Sequence, residues 1–283
     1  MKTPSTTIYT PASPLRDPGA LVASVLAGLW NSRELVWILF LRDLRAQFRQ
    51  SFLGYAWLVI PPLANAAVWH LLQSQQLINA RTEIPYPVFV LVGSTLWAAF
   101  VATVMVPSDV IAQNKDVFTK LDVPLEAFVL AGAARAIFNL LVTSLVLIPV
   151  LATPAVSLAS TAWLFPVAGI ALVALAFSIG LLIAPLGALY SDVRAALTPI
   201  LGLAMFAAPV VFPIPEGPGL LAAIVRASPI TPAIALGRDA LLTGRLDWLG
   251  PMLFWGAASA ALMLAAFVAL RVAKPHVIAR MGM

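Results

Sequence analysis

From Ala136 to Ser191 the chain carries no charged residue. One crossing of a bilayer takes about 20 mostly apolar residues, because a helix rises about 1.5 Å per residue through about 30 Å of hydrocarbon. This run is too long for one crossing and long enough for two. The break is expected in Thr153-Pro154-Ala155-Val156-Ser157, a cluster of turn formers. Such a stretch cannot coat a surface that faces water, whereas a surface that faces lipid needs no charge. The rest of the chain is similar: 10% of its residues are charged and 61% hydrophobic, with a mean hydropathy of +0.96. Soluble domains carry about 25% charged residues. The predicted fold class is all-α, a polytopic integral membrane protein with about six transmembrane helices.

Charge-free intervals set the predicted spans at about 52–72, 87–106, 126–151, 163–189, 195–211 and 248–270. Pro61-Pro62 should bend the first. Lysine and arginine in short connections set orientation. With both termini cytoplasmic, one side receives Arg33, Arg42, Arg45, Arg49, Lys115, Lys120, Arg194, Arg271 and Lys274, among others, and Arg135 sits near the inner end of span 3. The other side receives only Arg81, Arg226, Arg238 and Arg245. Residues 1–31 read as a cytoplasmic tail and membrane-surface segment, and 32–283 as a single transmembrane domain. Gly19 to Trp30 is apolar but too short to span, and no convincing cleavage site follows it.

Two segments differ from the spans. In the interfacial helix expected over 32–50, Arg42, Arg45 and Arg49 share one face, while Trp37, Phe40, Leu41, Leu44 and Phe48 take a largely separate one. Asn31 reads as its N-cap, with Glu34 three residues on. Such a helix lies in the membrane plane and meets membrane lipids. Between spans 5 and 6, the short apolar runs Gly219 to Val225 and Pro232 to Leu236 are punctuated by Pro213, Pro215, Pro218, Pro229 and Pro232. They read as re-entrant helices dipping in from the outer face.

The residues also exclude chemistry. No cysteine is present, His70 and His276 are the only histidines, and no metal-ligand spacing occurs. The span centres hold essentially no ionisable residue, which argues against an ion-coupled carrier or a membrane-embedded hydrolase. No G-x-x-x-x-G-K-[ST] loop is present, so ATP is not bound in that manner here. A separate ATPase is the natural power source. The net charge of +5 is explained by orientation, and no nucleic-acid partner is expected.

Several motifs occur together in order. They are Arg33-Glu34-Leu35, Arg42-Asp43-Leu44, Leu53-Gly54, Trp57 and Pro61-Pro62; Pro85-Tyr86-Pro87 leading to Gly93 and Trp97; Asn114, Val117, Lys120, Leu121 and Pro124; and Ser228-Pro229-Ile230-Thr231-Pro232 followed by Arg238-Asp239-Ala240-Leu241-Leu242. From Arg33 onward the chain resembles the membrane subunits of ATP-binding-cassette exporters of O-antigen, capsule or teichoic-acid type, the type-2 ABC permeases. One departure is Leu125, where the family often has a basic residue after the loop proline.

The resemblance implies a homodimer with two copies of an ABC ATPase subunit, in the bacterial inner membrane. ATP and Mg would bind that partner, with no cofactor in this chain and no enzymatic activity of its own. It implies export of a polysaccharide, lipid-linked as carried by such systems. Asn114, Lys115, Asp116, Val117, Phe118, Lys120, Leu121 and Asp122 would couple to the ATPase. Trp57, Trp97 and Phe100 would offer stacking faces along the glycan passage, and Pro229, Pro232 and Arg238 would form an outer gate, unless Arg238 merely pairs with Asp239 or Asp247. The alternatives are an ABC permease for a drug, haem or lipid cargo, a passive channel or carrier, and a membrane glycosyltransferase.

Overall fold

The computed structural model describes residues 18–49, 51–76, 82–121, 123–152, 157–215 and 217–281. Asp122, Gln50, Arg81, the tail to residue 17 and residues 153–156 of the expected break lie outside them. Among the described residues every regular element is helical. In chain order these are α1 (Pro18–Asn31), α2 (Arg33–Gln47), α3 (Ala56–Ser74), α4 (Tyr86–Gln113), α5 (Lys115–Lys120), α6 (Leu125–Ser144), α7 (Leu147–Leu151), α8 (Leu164–Leu189), α9 (Ser191–Ala204), α10 (Leu220–Ala227), α11 (Thr231–Leu242) and α12 (Leu249–Met281).

Among the described residues, four helical segments are long and apolar enough to cross a bilayer: α4, α6 with α7 over Leu125–Leu151, α8, and α12 as far as Lys274. They match the second, third, fourth and sixth expected spans. Pro85 and Pro87 start α4, where a proline ring suits the first turn and its missing N–H costs nothing. The first expected span begins later than 52, because Gly54 turns the chain at φ +53° before α3 starts. α3 is 19 residues long with Pro61 and Pro62 inside it. The fifth expected span is not one helix. α9 has 14 residues, about 21 Å, and continues as a single 3-10 turn at Met205–Ala207 and then as non-helical chain.

Side-chain contacts define two ends of the bundle. At one end Arg271 lies 3.9 Å from Glu126 and donates to Ser24 at 2.9 Å. There also Lys274 donates to the Val123 carbonyl at 3.3 Å, and Arg280 to the Tyr190 hydroxyl at 3.2 Å. This basic end gathers α1, the α5–α6 turn, the α8–α9 turn and the extended tip of α12. At the opposite end Arg245 pairs with Glu83 at 2.9 Å, and Thr161 donates to the Ala240 carbonyl at 2.8 Å. The segment 191–211 joins the two ends. It starts beside Tyr190 and finishes at Val211, whose carbonyl accepts from Tyr86 at the head of α4.

α4 and α8 are the central pair. In the most apolar window of α4 78% of residues are buried, against 22% in α12, which lies outside. Close approach explains the pairing: a β-carbon on Gly180 of α8 would overlap the backbone carbonyl oxygen of Val104 in α4. Backbone cannot swing aside as a side chain does. Gly180→Val should therefore destabilise the bundle by about 1–3 kcal/mol through overpacking. A fall in the thermal unfolding midpoint in detergent checks this, and an unchanged midpoint would count against it.

The expected capping box at Asn31 does not form. Asn31 is the last residue of α1, and Ser32 takes the N-cap position of α2 without a side-chain cap bond. Its hydroxyl instead donates back to the Gly28 carbonyl at 2.7 Å. The two helices follow one another with Ser32 alone between them: its N–H donates to the Gly28 carbonyl at 3.1 Å, and its own carbonyl accepts from the Val36 N–H at 2.8 Å. α2 packs across α6, with Phe40 against Phe138 at 6.3 Å.

Candidate functional site

Three features bear on transport, and α4 touches them all. The first is the short helix α5 at the basic end. Asn114 ends α4 by donating from its amide to the Val110 carbonyl at 2.8 Å. The chain then turns into α5, which has Asp116 in its first turn and Lys120 in its last, as the helix dipole favours. Phe118 points inward, its ring 5.0 Å from Phe128 in a T-shaped contact. Leu121 points out and is 60% exposed, and Lys115, Asp116 and Lys120 are exposed as well. Val117 is half-buried. One aromatic thus fastens α5 to the bundle and leaves Leu121 and three charged residues exposed.

The second feature is a cleft of about 450 Å³ between α3, α4 and α6. Trp57, Pro61 and Pro62 form one wall, and Asp109, Arg135, Asn139 and Gln47 supply polar groups. α4 continues past residue 106 to Gln113, which places Asp109 inside the helix. Arg135 stands ten residues into α6, about 15 Å along it, rather than at its end. Arg135 and Arg194 both act electrostatically on Asp109. The buried Asn139 Oδ1 and Gln47 Oε1 accept no hydrogen bond from the protein.

The third feature lies toward the opposite end. α10 and α11 form a pair bent by 81° across a short break. Thr231 fixes the bend by donating to the Val225 carbonyl at 2.6 Å. From α11, Arg238 runs inward and is only 5% exposed. It donates to the carbonyls of Pro209 at 2.8 Å and Val210 at 3.2 Å, and its guanidinium lies 3.4 Å from the centroid of the Phe89 ring. Its hydrogen bonds thus go to main chain rather than to Asp239 or Asp247. Gly93 makes room, since a β-carbon there would stand 2.5 Å from both the Arg238 Nη2 and the Val210 oxygen. A buried guanidinium is tolerable because it is stacked and hydrogen-bonded. It ties α11, the end of the fifth segment and α4 together.

The other expected site residues fall out unevenly. Trp57 is 53% exposed and open to the cleft. Trp97 and Phe100 are buried, stacked on each other at 5.3 Å inside the core. Arg42, Arg45 and Arg49 are exposed around a surface groove with Ile38 and Leu41, and Arg42 also pairs with Asp43 at 2.8 Å. Pro232 is buried and Pro229 partly so, both facing Trp255 of α12. Sequence reasoning missed Asp109, Asn139 and Gln47. The signal for Asp109 was its place at the mouth of a span, where a helix often outruns the hydrocarbon.

The profile of the ABC-2 type transporter family matches residues 34–242, from α2 through α11. The O-antigen export system permease protein RfbA of Myxococcus xanthus is 30% identical over 195 residues, covering 66% of this chain and 71% of that protein. The protein of the same description from Klebsiella pneumoniae is 22% identical over 220 residues, covering 76% and 83%. The match takes in α5, all of the cleft-lining helices and the bent α10–α11 pair. This helical membrane chain therefore belongs to the ABC-2 type transporter family.

Proposed function

We propose that the chain is the transmembrane subunit of an ATP-driven exporter that carries a lipid-linked polysaccharide across the bacterial inner membrane. The observation that carries this reading is the likeness to two O-antigen export permeases over most of the chain. Residues 32–283 act as one permease unit, with 1–31 as a cytoplasmic tail. The basic end faces the cytoplasm, as the positive-inside rule requires, and the α10–α11 pair re-enters from the outer face.

Two copies of the chain assemble with two ATPase subunits, which bind ATP and Mg. α5 docks on the ATPase through Leu121 and Val117, with Lys115, Asp116, Lys120 and Asp122 setting register. α4 then carries the ATP-driven movement from α5 toward Arg238 without a break in its helix. Trp57 is the aromatic placed to stack on sugar. Trp97 and Phe100 stiffen α4 from inside, and reach the passage only if the core opens. Arg42, Arg45 and Arg49 hold α2 at anionic headgroups.

Deleting the gene should abolish surface polysaccharide while lipid-linked glycan accumulates on the cytoplasmic leaflet. Normal surface glycan in the deletion strain would overturn the reading in favour of a drug, haem or lipid cargo.

A further inference from the structure

α12 is longer than a crossing requires. Its apolar part ends at Lys274, yet the helix continues to Met281. Its 33 residues extend about 50 Å, against about 30 Å of hydrocarbon. The last turns are seated against the protein, since Val277 is buried. Lys274 donates to the carbonyl of Val123, in the turn that follows α5, and Arg280 donates to Tyr190. The two cations stand about 9 Å apart along the helix and about 120° apart around it, so the tip meets a different neighbour with each. Tyr190 ends α8 and starts α9. Its hydroxyl accepts from Arg280 at 3.2 Å, and its ring centroid lies 5.4 Å from that guanidinium.

The tip of α12 therefore touches both chain reversals at the basic end, the one after α5 and the one between α8 and α9. From Tyr190 the chain runs through α9 to Pro209 and Val210, whose carbonyls Arg238 holds. α4 comes against the same segment from its own side, at Gly93. A displacement of α5 thus has two mechanical paths to one place. One runs along α4, and the other runs through the tip of α12 and then α9.

We propose that the tip of α12 is a bracket that carries the movement of α5 to the start of α9, with Lys274 and Arg280 as positioning residues for export. This rests on the reading of α5 as the element that meets the ATPase. Lys274 fixes the tip to the turn after α5, and Arg280 fixes the same tip to Tyr190. The bracket stays closed through the cycle, because a contact that opened under load would transmit nothing. Its residues act on how much export each hydrolysed ATP produces, not on the binding of the ATPase.

The test uses the permease copurified with its ATPase, for ATP turnover and unfolding midpoint, and living cells, for the rate at which surface glycan appears. Arg280→Ala and Tyr190→Leu should each lower the ratio of surface glycan to ATP turnover by about two- to fivefold, the equilibrium factor of an exposed cation–π contact. Copurification and midpoint should stay at the wild-type values. Lys274→Met should act in the same direction. Arg280→Lys keeps a cation over the ring and should recover most of the loss. Combining Arg280→Ala with Tyr190→Leu should be no worse than either alone, since both remove one contact. Because the chain has no cysteine, a variant with Tyr190→Cys and Arg280→Cys can be joined by a membrane-permeable bis-maleimide, with the treated wild type as control. Joining should raise export above that of the unjoined double variant.

Unchanged ratios in Arg280→Ala and Tyr190→Leu would overturn the bracket. Arrest of export on joining would overturn it as well, since the contact would then be a latch that has to open. A lowered midpoint that accounts for the lost export would reduce both residues to structural support. None of these results touches α5 docking, which stands as long as Leu121→Asp loses the ATPase. Normal copurification of Leu121→Asp would remove the docking reading and the bracket with it.

Discussion

Arg238→Met is expected to lower the stability of the permease by about 3 kcal/mol and to remove most export activity. The wild-type side chain answers two carbonyls, those of Pro209 and Val210, and stacks on Phe89. A buried carbonyl stripped of its donor costs about 1–3 kcal/mol, and a desolvated cation–π contact contributes about 2 kcal/mol or more. These losses are not additive, since methionine keeps much of the packing volume. Arg238→Lys keeps the charge but not the planar fork, so it should fall between wild type and Arg238→Met. Unfolding midpoints in detergent and surface-glycan assays check both variants. A midpoint for Arg238→Met equal to wild type would show that the arginine ties nothing together.

The second large effect separates docking from folding on a single short helix. Leu121→Asp should leave the unfolding midpoint within about 0.5 kcal/mol of wild type, because an exposed position tolerates the change. The same variant should lose about tenfold or more in ATPase copurification, because a charge replaces the central apolar contact. Phe118→Ala should do the reverse: it removes a buried ring packed on Phe128 and costs about 3–5 kcal/mol of stability. If Leu121→Asp copurified normally with the ATPase and exported normally, α5 would not be the docking element.

The spans that sequence located well are those whose limits depend only on lipid thickness. α8 runs from Leu164 to Leu189 where 163–189 was expected, and α12 begins at Leu249 where 248 was expected. An uninterrupted apolar run has one cheap way to enter lipid, and that is as a helix. The fifth expected span was harder to read because hydropathy reports how greasy a segment is, not how its backbone is satisfied. Its non-helical stretch survives because Arg238 and Tyr86, far away in sequence, donate to its carbonyls. The capping box at Asn31 failed for a related reason: α1 runs on through Asn31, and its Gly28 carbonyl takes both the N–H and the hydroxyl of Ser32. Charge spacing placed Asp109 outside a span, since the first charge was taken as the boundary, whereas α4 runs seven residues beyond 106 before Asn114 ends it.

The candidate site was legible as a set of positions and not as an arrangement. The order Asn114, Val117, Lys120, Leu121 announced a polar connection, but nothing local says that Phe118 turns in and Leu121 out. Trp97 and Phe100 looked like sugar platforms because aromatics serve both stacking and packing. Both are buried in the core and stacked on each other at 5.3 Å.

The segment from Ser191 to Val211 is a wall with a soft course of bricks. Where its neighbours close their own backbone bonds turn by turn, its last carbonyls depend on borrowed side chains. Any stroke of α4 that drags Phe89 and Gly93 past those carbonyls must release them, and released carbonyls at that depth attract water. Hydration should therefore begin at Pro209 to Val211 and spread from there, making this seam the first part of the permease to wet when it works.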